Sequence, residues 1–251
     1  MEKYYISAEN WQKLYKILCL SSKIRVKAEE KTRRFVEAIH FILKTGAQWR
    51  ELPSYYGKWR SVHKRYESWC RKGVWIDVLD AFSSDCDTEW FMIDATVVRA
   101  HPCAAGYERD QHEREGLGRS KGGFTTKIHA VVDALGQAVR FTLTPGHRND
   151  ITQAPILIEG IRDAHILADK AYDADAFLEQ IESQACTPVI PPRSHRKKPR
   201  EFDKDIYKER HLVECFFNKI KHFRRVFSRF DKKASSFAGF LAYASSILWM
   251  R

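Results

Sequence analysis

What this chain lacks narrows its class at the outset. Its six cysteines, Cys19, Cys70, Cys86, Cys103, Cys186 and Cys215, form no CxxC pair and show no zinc-finger spacing. Scattered free thiols suit a reducing cytosol better than the disulfide framework of a secreted domain. The opening MEKYYISAENWQKL carries no apolar core of a signal peptide. The longest apolar run, FAGFLAYASSILWM, is too short and too serine-rich to span a bilayer, and reads as a buried helix. The glycine-punctuated GLGRSKGG lacks the GK[ST] of a phosphate-cradling P-loop, which excludes a nucleotide site there. No internal repeat is present. Acidic residues are also in short supply: 32 Asp and Glu stand against 43 Lys and Arg, a formal charge of +11. Such an imbalance points to a polyanionic partner.

What remains is a globular composition, 44% hydrophobic and 13% aromatic over 251 residues. That length suits a modest helical domain followed by a larger one, with the boundary expected at residue 85: 1–85, then 86–251. In the first part, Ser7 can cap a helix carrying Trp11, Leu14, Ile17 and Leu18. A second helix carries Phe35, Ile39, Ile42 and Leu43 and stops at Gly46. Pro53 and Gly57 then break the chain before a helix from about Lys58 to Arg71. That helix mixes Lys58, Arg60 and Lys64 with Trp59, Val62, Tyr66 and Trp69. Short helices, a sharp turn and a basic-aromatic last helix fit a helix-turn-helix-like module, with Lys58, Arg60 and Lys64 as its candidate DNA contacts.

From Trp90 the pattern changes. WFMIDATVVRAH reads as a buried strand holding one acid, Asp94. FTTKIHAVVDALGQAVRFTLTPG gives two strands joined at Ala134-Leu135-Gly136. A helix follows Asn149-Asp150, carrying Ile151, Ile156, Leu157 and Ile158; HILADKAYD is a short strand ending at Asp169. DADAFLEQIESQA is a helix, TPVIPP a last strand, and two helices follow a basic loop. Three strands, helix, strand, helix, strand, helix, helix is the succession of an RNase H-like α/β fold, a mixed sheet flanked by helices. In that fold the first and fourth strands are neighbours, so Asp94 and Asp169 would face each other.

The segment YKERHLVECFFNKIK supplies a third acid. Read as one helix, it places Tyr207, Arg210, Glu214 and Lys221 within about 60° of one another, with Val213, Phe216, Phe217, Ile220 and Phe223 on another side. Two strand acids and Glu214 can gather a hard cation such as Mg²⁺, which takes oxygen ligands. A pair of such ions serves phosphoryl transfer, with water as nucleophile for cleavage or a DNA 3′-hydroxyl for joining. Arg210 and Lys221 would hold phosphates, and Tyr207 would donate to a phosphate or pack on a base. The plain alternative for Glu214 is an i, i+4 ion pair with Arg210; for Asp169 it is a helix cap. His129, His147, His211 and His222 read as structural or surface residues. The stretch from Pro191 to Arg225 holds 12 Lys and Arg against 5 Asp and Glu, a further candidate DNA surface.

These residues carry a resemblance. Tyr207-x2-Arg210-x3-Glu214-x6-Lys221 is similar to the Y-R-E-K signature of DDE-class bacterial insertion-sequence transposases, and Asp169-Lys170-Ala171-Tyr172 resembles their D-x-[GA]-[YF] motif. KIHAVVDALG, TPGHRND and GAQWRELPSYYGKW resemble segments of the insertion-sequence-five family. Only 44 residues separate Asp169 from Glu214, which leaves no room for the large β insertion of some related transposases. The resemblance implies Asp94, Asp169 and Glu214 as catalytic, metal-binding acids, with Tyr207, Arg210 and Lys221 in support near the DNA end. It implies two Mg²⁺ ions, with Mn²⁺ as a substitute, and double-stranded DNA as partner, both element ends and target. It further implies a homodimer or larger assembly on DNA, with no membrane role, in the bacterial cytoplasm at the nucleoid. The expected activity is binding of terminal inverted repeats, metal-dependent cleavage and strand transfer. A structure-selective nuclease of the same fold, or a domesticated repressor that binds without catalysis, are the alternatives that the residues leave open.

Overall fold

The structure, a computed structural model, describes residues 5–26, 28–105, 109–120, 123–196 and 200–251. Lys121 and Gly122 of the glycine-punctuated loop, and Lys197, Lys198 and Pro199 of the basic loop, lie outside them. The chain forms two compact units. One comprises Met1–Phe82, Ala100–Tyr107 and Ile220–Arg251; the other comprises Ser83–Arg99 and Glu108–Lys219.

The first unit is helical. Its helices α1 (Ala8–Leu20), α2 (Glu29–Thr45), α3 (Trp59–Arg71) and α4 (Val74–Ser83) come from the N-terminal part of the sequence. Ser7 Oγ accepts from the Asn10 N–H at 3.2 Å and starts α1; Gly46, at φ 67°, ends α2 in the left-handed region that glycine adopts without strain. The core is aromatic. Phe35 meets Trp69 edge-on at 4.8 Å between ring centroids, Tyr66 meets Phe240 at 4.4 Å, and Trp75 meets Tyr243 at 4.9 Å. Phe240 and Tyr243 belong to the long buried helix near the C-terminus, so the N-terminal helices close around a core that this later segment supplies.

The second unit is built on a mixed sheet. Strand β1 (Trp90–Ala100) pairs antiparallel with β3 (Gly123–Val132), which also pairs with β2 (Gly118–Ser120) and β4 (Ala138–Pro145). On its other side β1 runs parallel to β5 (His165–Leu167), and β5 to β6 (Thr187–Val189). The order β2-β3-β1-β5-β6, with β4 on β3, is that of the expected RNase H-like fold. The hairpin turns on Asp133, whose Oδ1 accepts from the Leu135 and Gln137 N–H groups at 3.1 and 2.7 Å, with Gly136 at φ 73°. Phe91, Ile93, Val131, Leu157, Ile166, Tyr172, Phe177 and Ile181 form the buried cluster beside this sheet.

Helices α5 (Arg109–Arg114), α6 (Ala154–Leu157), α7 (Asp175–Ser183) and α8 (Lys204–Lys208) follow, then α9 (His211–Lys221), which begins in this unit and ends in the first. Back in the first unit, α10 (Arg224–Phe227), the two-residue β7 (Ser228–Arg229) and α11 (Ala234–Trp249) complete the chain. Two local expectations are corrected. The helix after Asp150 is a 3₁₀ turn, Asp150–Thr152, and the four-residue α6. The Y-R-E-K segment is two helices and not one: α8 starts at its cap Asp203, and Glu209 and Arg210 form a turn before α9. Tyr207 therefore precedes the turn and does not share the α9 stripe. The apolar row is nonetheless as expected, with Val213, Phe216, Phe217, Ile220 and Phe223 all buried.

Candidate active site

Asp94 projects from the middle of β1, opposite Ala130 of β3. On the parallel side Met92 pairs with Leu167, and Asp94 and Asp169 each lie two residues beyond that pair. The register that the buried apolar residues fix thus carries the two acids to corresponding places on neighbouring chains. Asp94 Oδ1 accepts from the Ala95 N–H at 2.8 Å, and Oδ2 accepts from Arg210 Nη1 at 3.0 Å. Burial pushes the Asp94 carboxyl above the usual carboxylate range. The Ala95 N–H and Arg210 pull it back, and the charge of Asp169 pushes it further up.

Asp169 follows β5 and caps the 3₁₀ turn Lys170–Tyr172, its Oδ1 accepting from the Ala171 N–H at 2.7 Å. The capping role and a place beside Asp94 coexist, since the cap uses one oxygen. Arg193 fixes the same turn from outside: its Nη2 donates to Ala171 O at 2.7 Å and its Nε to Lys170 O at 3.2 Å. Asp173 at the end of the turn accepts from the Arg193 N–H at 2.8 Å and from Arg196 Nε at 2.9 Å. Arg193 and Arg196 were legible only as part of a basic stretch. Their work as braces of the Asp169 turn has no spacing signal of its own.

Glu214 stands in the first turn of α9. Its Oε1 accepts from Arg210 Nη2, while Nη1 of the same guanidinium holds Asp94. Burial alone would lower the Arg210 basicity. Asp94 by charge and hydrogen bond, with Tyr207 and Glu214, raises it instead. The i, i+4 ion pair expected as the plain reading is therefore present, and it is also the link from the helix acid to the first strand acid. Tyr207 lies in α8, its ring edge-on to Phe202 at 5.4 Å. Lys221 ends α9, seven residues past Glu214, and burial lowers its basicity.

Beside the acids lies a cluster that the sequence did not announce. His129 is fully buried next to the Ala95 pairing position, and its Nε2 is 2.7 Å from Thr144 Oγ1. Burial holds its pKa down to about 4, against a rise from Asp150. Lys127 Nζ donates to Asp150 Oδ1 at 2.8 Å and to Arg148 O at 2.7 Å, tying β3 to the loop after β4. Alternation along β3 could have placed Lys127 and His129 on one face. Nothing local links them to Asp150.

Three carboxylates, one of them destabilised by burial and a like charge, are a donor set that fits a hard divalent cation. Among the described residues, no three His, Cys, Asp or Glu side chains already stand close enough to hold one ion. Arg210 occupies the electrostatic place between Asp94 and Glu214 that a cation would take. Of the expected DNA contacts in the first unit, Lys58 precedes α3, Arg60 stacks over Trp59 at 5.1 Å, and Lys64 is exposed one turn later.

Residues 6–79 match the family model described as "Putative transposase of IS4/5 family", and residues 86–249 match "Transposase DDE domain". The chain belongs to the DDE transposase family. Its catalytic class is that of a DNA transposase, and the family uses divalent metal. A putative transposase for insertion sequence element IS6501 of Brucella ovis is 43% identical to this transposase over 129 residues, 51% of this chain and 99% of that protein. A putative transposase for insertion sequence element IS402 of Burkholderia cepacia is 30% identical over 128 residues, 46% of this chain and 58% of that protein. Among solved structures, the piggyBac transposase synaptic complex with hairpin DNA aligns with 77% of this chain and 50% of its own, at 10% identity and a TM-score of 0.42. Among the described residues, no helix of the transposase is long and apolar enough to cross a membrane.

Proposed function

We propose that this transposase binds the terminal inverted repeats of its own insertion sequence, cleaves there and joins the ends to target DNA, with Asp94, Asp169 and Glu214 as its metal-binding acids. The observation that carries the reading is the Arg210 bridge, which draws Glu214 of α9 to Asp94 of β1. A bland surface pair would not reach a partly buried strand acid 116 residues away in sequence. When bound by these carboxylates, Mg²⁺, as a pair of ions or with Mn²⁺ in its place, supplies Lewis acidity at the scissile phosphate.

The chain's own residues do the rest. Asp169, held by the Ala171 N–H and the braced turn, keeps its second oxygen in a fixed direction. Arg210 releases the carboxylates and turns its planar fork to a phosphate of the DNA end. Tyr207 donates its phenol to the same strand, and Lys221 adds a point charge farther along α9. Two ends must be handled together, so the working assembly is a homodimer or larger on DNA. The place of action is the nucleoid of a bacterial cytoplasm.

Strand transfer tests this reading. Purified protein is incubated with Mg²⁺, a labelled pre-cut duplex carrying the DNA that flanks its own gene, and a supercoiled plasmid. Wild type is expected to join label to plasmid, and Glu214→Gln is expected not to. Cleavage without joining by wild type would replace this reading with a nuclease. Binding with neither reaction would replace it with a repressor.

A further inference from the structure

A cleft of about 620 Å³ opens within the first unit, between the segment that enters α2 and one face of α3. Arg25 and Lys31 line it from one side, and Lys64, Arg65 and Lys72 from the other; among the described residues no acid lines it. Several other cations of the same unit have carboxylates. Lys23 pairs with Asp77 at 2.7 Å, Arg33 with Glu37 at 3.0 Å and Lys233 with Glu67 at 2.9 Å. Among the described residues, none of Arg25, Lys31, Lys64 and Arg65 has such a partner. Like charges brought together in a concavity raise one another's energy unless an anion enters.

Arg65 is the fixed point. Its guanidinium lies over Phe35 at 4.2 Å and over Trp69 at 5.0 Å, both buried core rings. Contact with two neighbouring rings restrains the guanidinium beside the cleft, and its planar fork suits a phosphate. The chemistry of the cleft is therefore that of a phosphate seat. Its extent says which phosphates. Lys64 and Lys72 are eight residues apart, about 12 Å along a helical rise. One strand of DNA advances about 3.4 Å along the helix axis per phosphate and farther than that along its winding backbone, so this span matches two or three successive phosphates and not a single small anion.

We propose that the cleft between Arg25 and Lys31 on one side and Lys64, Arg65 and Lys72 on the other seats the phosphate backbone of the DNA end, with Arg65 as its preset contact. This deepens the end-binding reading and rests on it. It also divides the cations that the sequence groups together: Lys64 lines the cleft, whereas Lys58 and Arg60 do not.

Fluorescence anisotropy against salt tests the assignment, using a labelled duplex from the flank of the protein's own gene and an unrelated duplex of equal length. Arg25→Gln/Lys31→Gln/Lys64→Gln leaves the Arg65 packing in place. It is expected to weaken binding to both duplexes at least about ten-fold, and to flatten the plot of log affinity against log salt by about 2–3. Lys31→Gln alone is expected to remove about 1 from that slope, which keeps the assignment testable if the triple variant unfolds. Lys58→Gln/Arg60→Gln is expected to weaken binding less than the triple variant does. A triple variant with wild-type affinity and slope, or a loss that follows Lys58 and Arg60 instead, would overturn the assignment. Strand transfer with the same proteins separates the two readings. Wild type that binds through the cleft but joins no ends overturns the proposed function alone; wild type that joins ends while the triple variant binds unchanged overturns this inference alone.

Discussion

Arg210 divides one guanidinium between Asp94 and Glu214. In the protein without metal it therefore acts as an internal counter-ion for two acids that are expected to hold one. Removing it should have opposite effects on two measurements. Arg210→Ala is expected to bind Mn²⁺ about ten-fold more tightly in an electron-paramagnetic-resonance titration. The ion no longer competes with a charge-assisted hydrogen bond worth about 1.5–3 kcal/mol. Strand transfer by the same variant is expected to fall, because the phosphate fork is gone. Unchanged Mn²⁺ affinity would show that the bridge does not guard the site. The acids themselves behave differently. Asp94→Asn, Asp169→Asn and Glu214→Gln are each expected to abolish joining, by at least about 10³-fold, while gel-shift binding of the DNA end persists. Normal joining by any one of them would remove that residue from the site.

At the scale of elements, the strands that lead to Asp94 and Asp169 were readable because each carries a buried apolar run just before its acid, Phe91–Ile93 in β1 and Ile166–Leu167 in β5. The break between α8 and α9 was not. No glycine or proline marks Glu209–Arg210, and the apolar row from Val213 onward is helical on both readings. The turn is set from afar: Arg210 reaches β1, and Leu212 packs so near the hairpin that a Cβ on Gly136 would lie 3.2 Å from its Cβ. Tertiary ties of this kind have no local signature. The short α6 had one, since Pro155 lies in its first turn and Gly160 follows soon after, yet the run of isoleucines outweighed it. Close packing also predicts where α11 is intolerant. A Cβ at Gly239 would stand 2.5 Å from Cys70 Sγ and 3.1 Å from both Trp75 Cδ1 and Tyr66 Oη, and two of these three belong to rigid rings. Gly239→Ala is expected to cost about 1–3 kcal/mol in urea unfolding, whereas the same change at a surface position of α3 is expected to be near neutral.

For the whole molecule, the first unit draws on three separated stretches of sequence. A division near residue 85 describes the order of the motifs but leaves out α11, which gives the helical core Phe240 and Tyr243. A fragment of residues 1–85 is accordingly expected to lack cooperative unfolding and sharp aromatic circular dichroism; a folded fragment would refute that dependence. Acid sensitivity is a second whole-molecule property. His40 and His129, one in each unit, are both held neutral by burial, with pKa values lowered from 6.5 to about 4. Between those values the unfolded chain binds more protons than the folded one, so stability is full above pH 6.5 and declines as pH falls toward 4. Urea midpoints at several pH values should show that decline, and His129→Gln should make it shallower.

The discontinuous helical unit has a consequence for the order of events during synthesis. Every residue of the sheet unit has been polymerised once Lys219 is made, whereas the helical unit still awaits Ile220–Arg251. On the ribosome, then, the acids can find their strands before the cationic cleft has its supporting core. A polypeptide released between Lys221 and α11 would carry the chemistry of the transposase without a stable means of gripping an end.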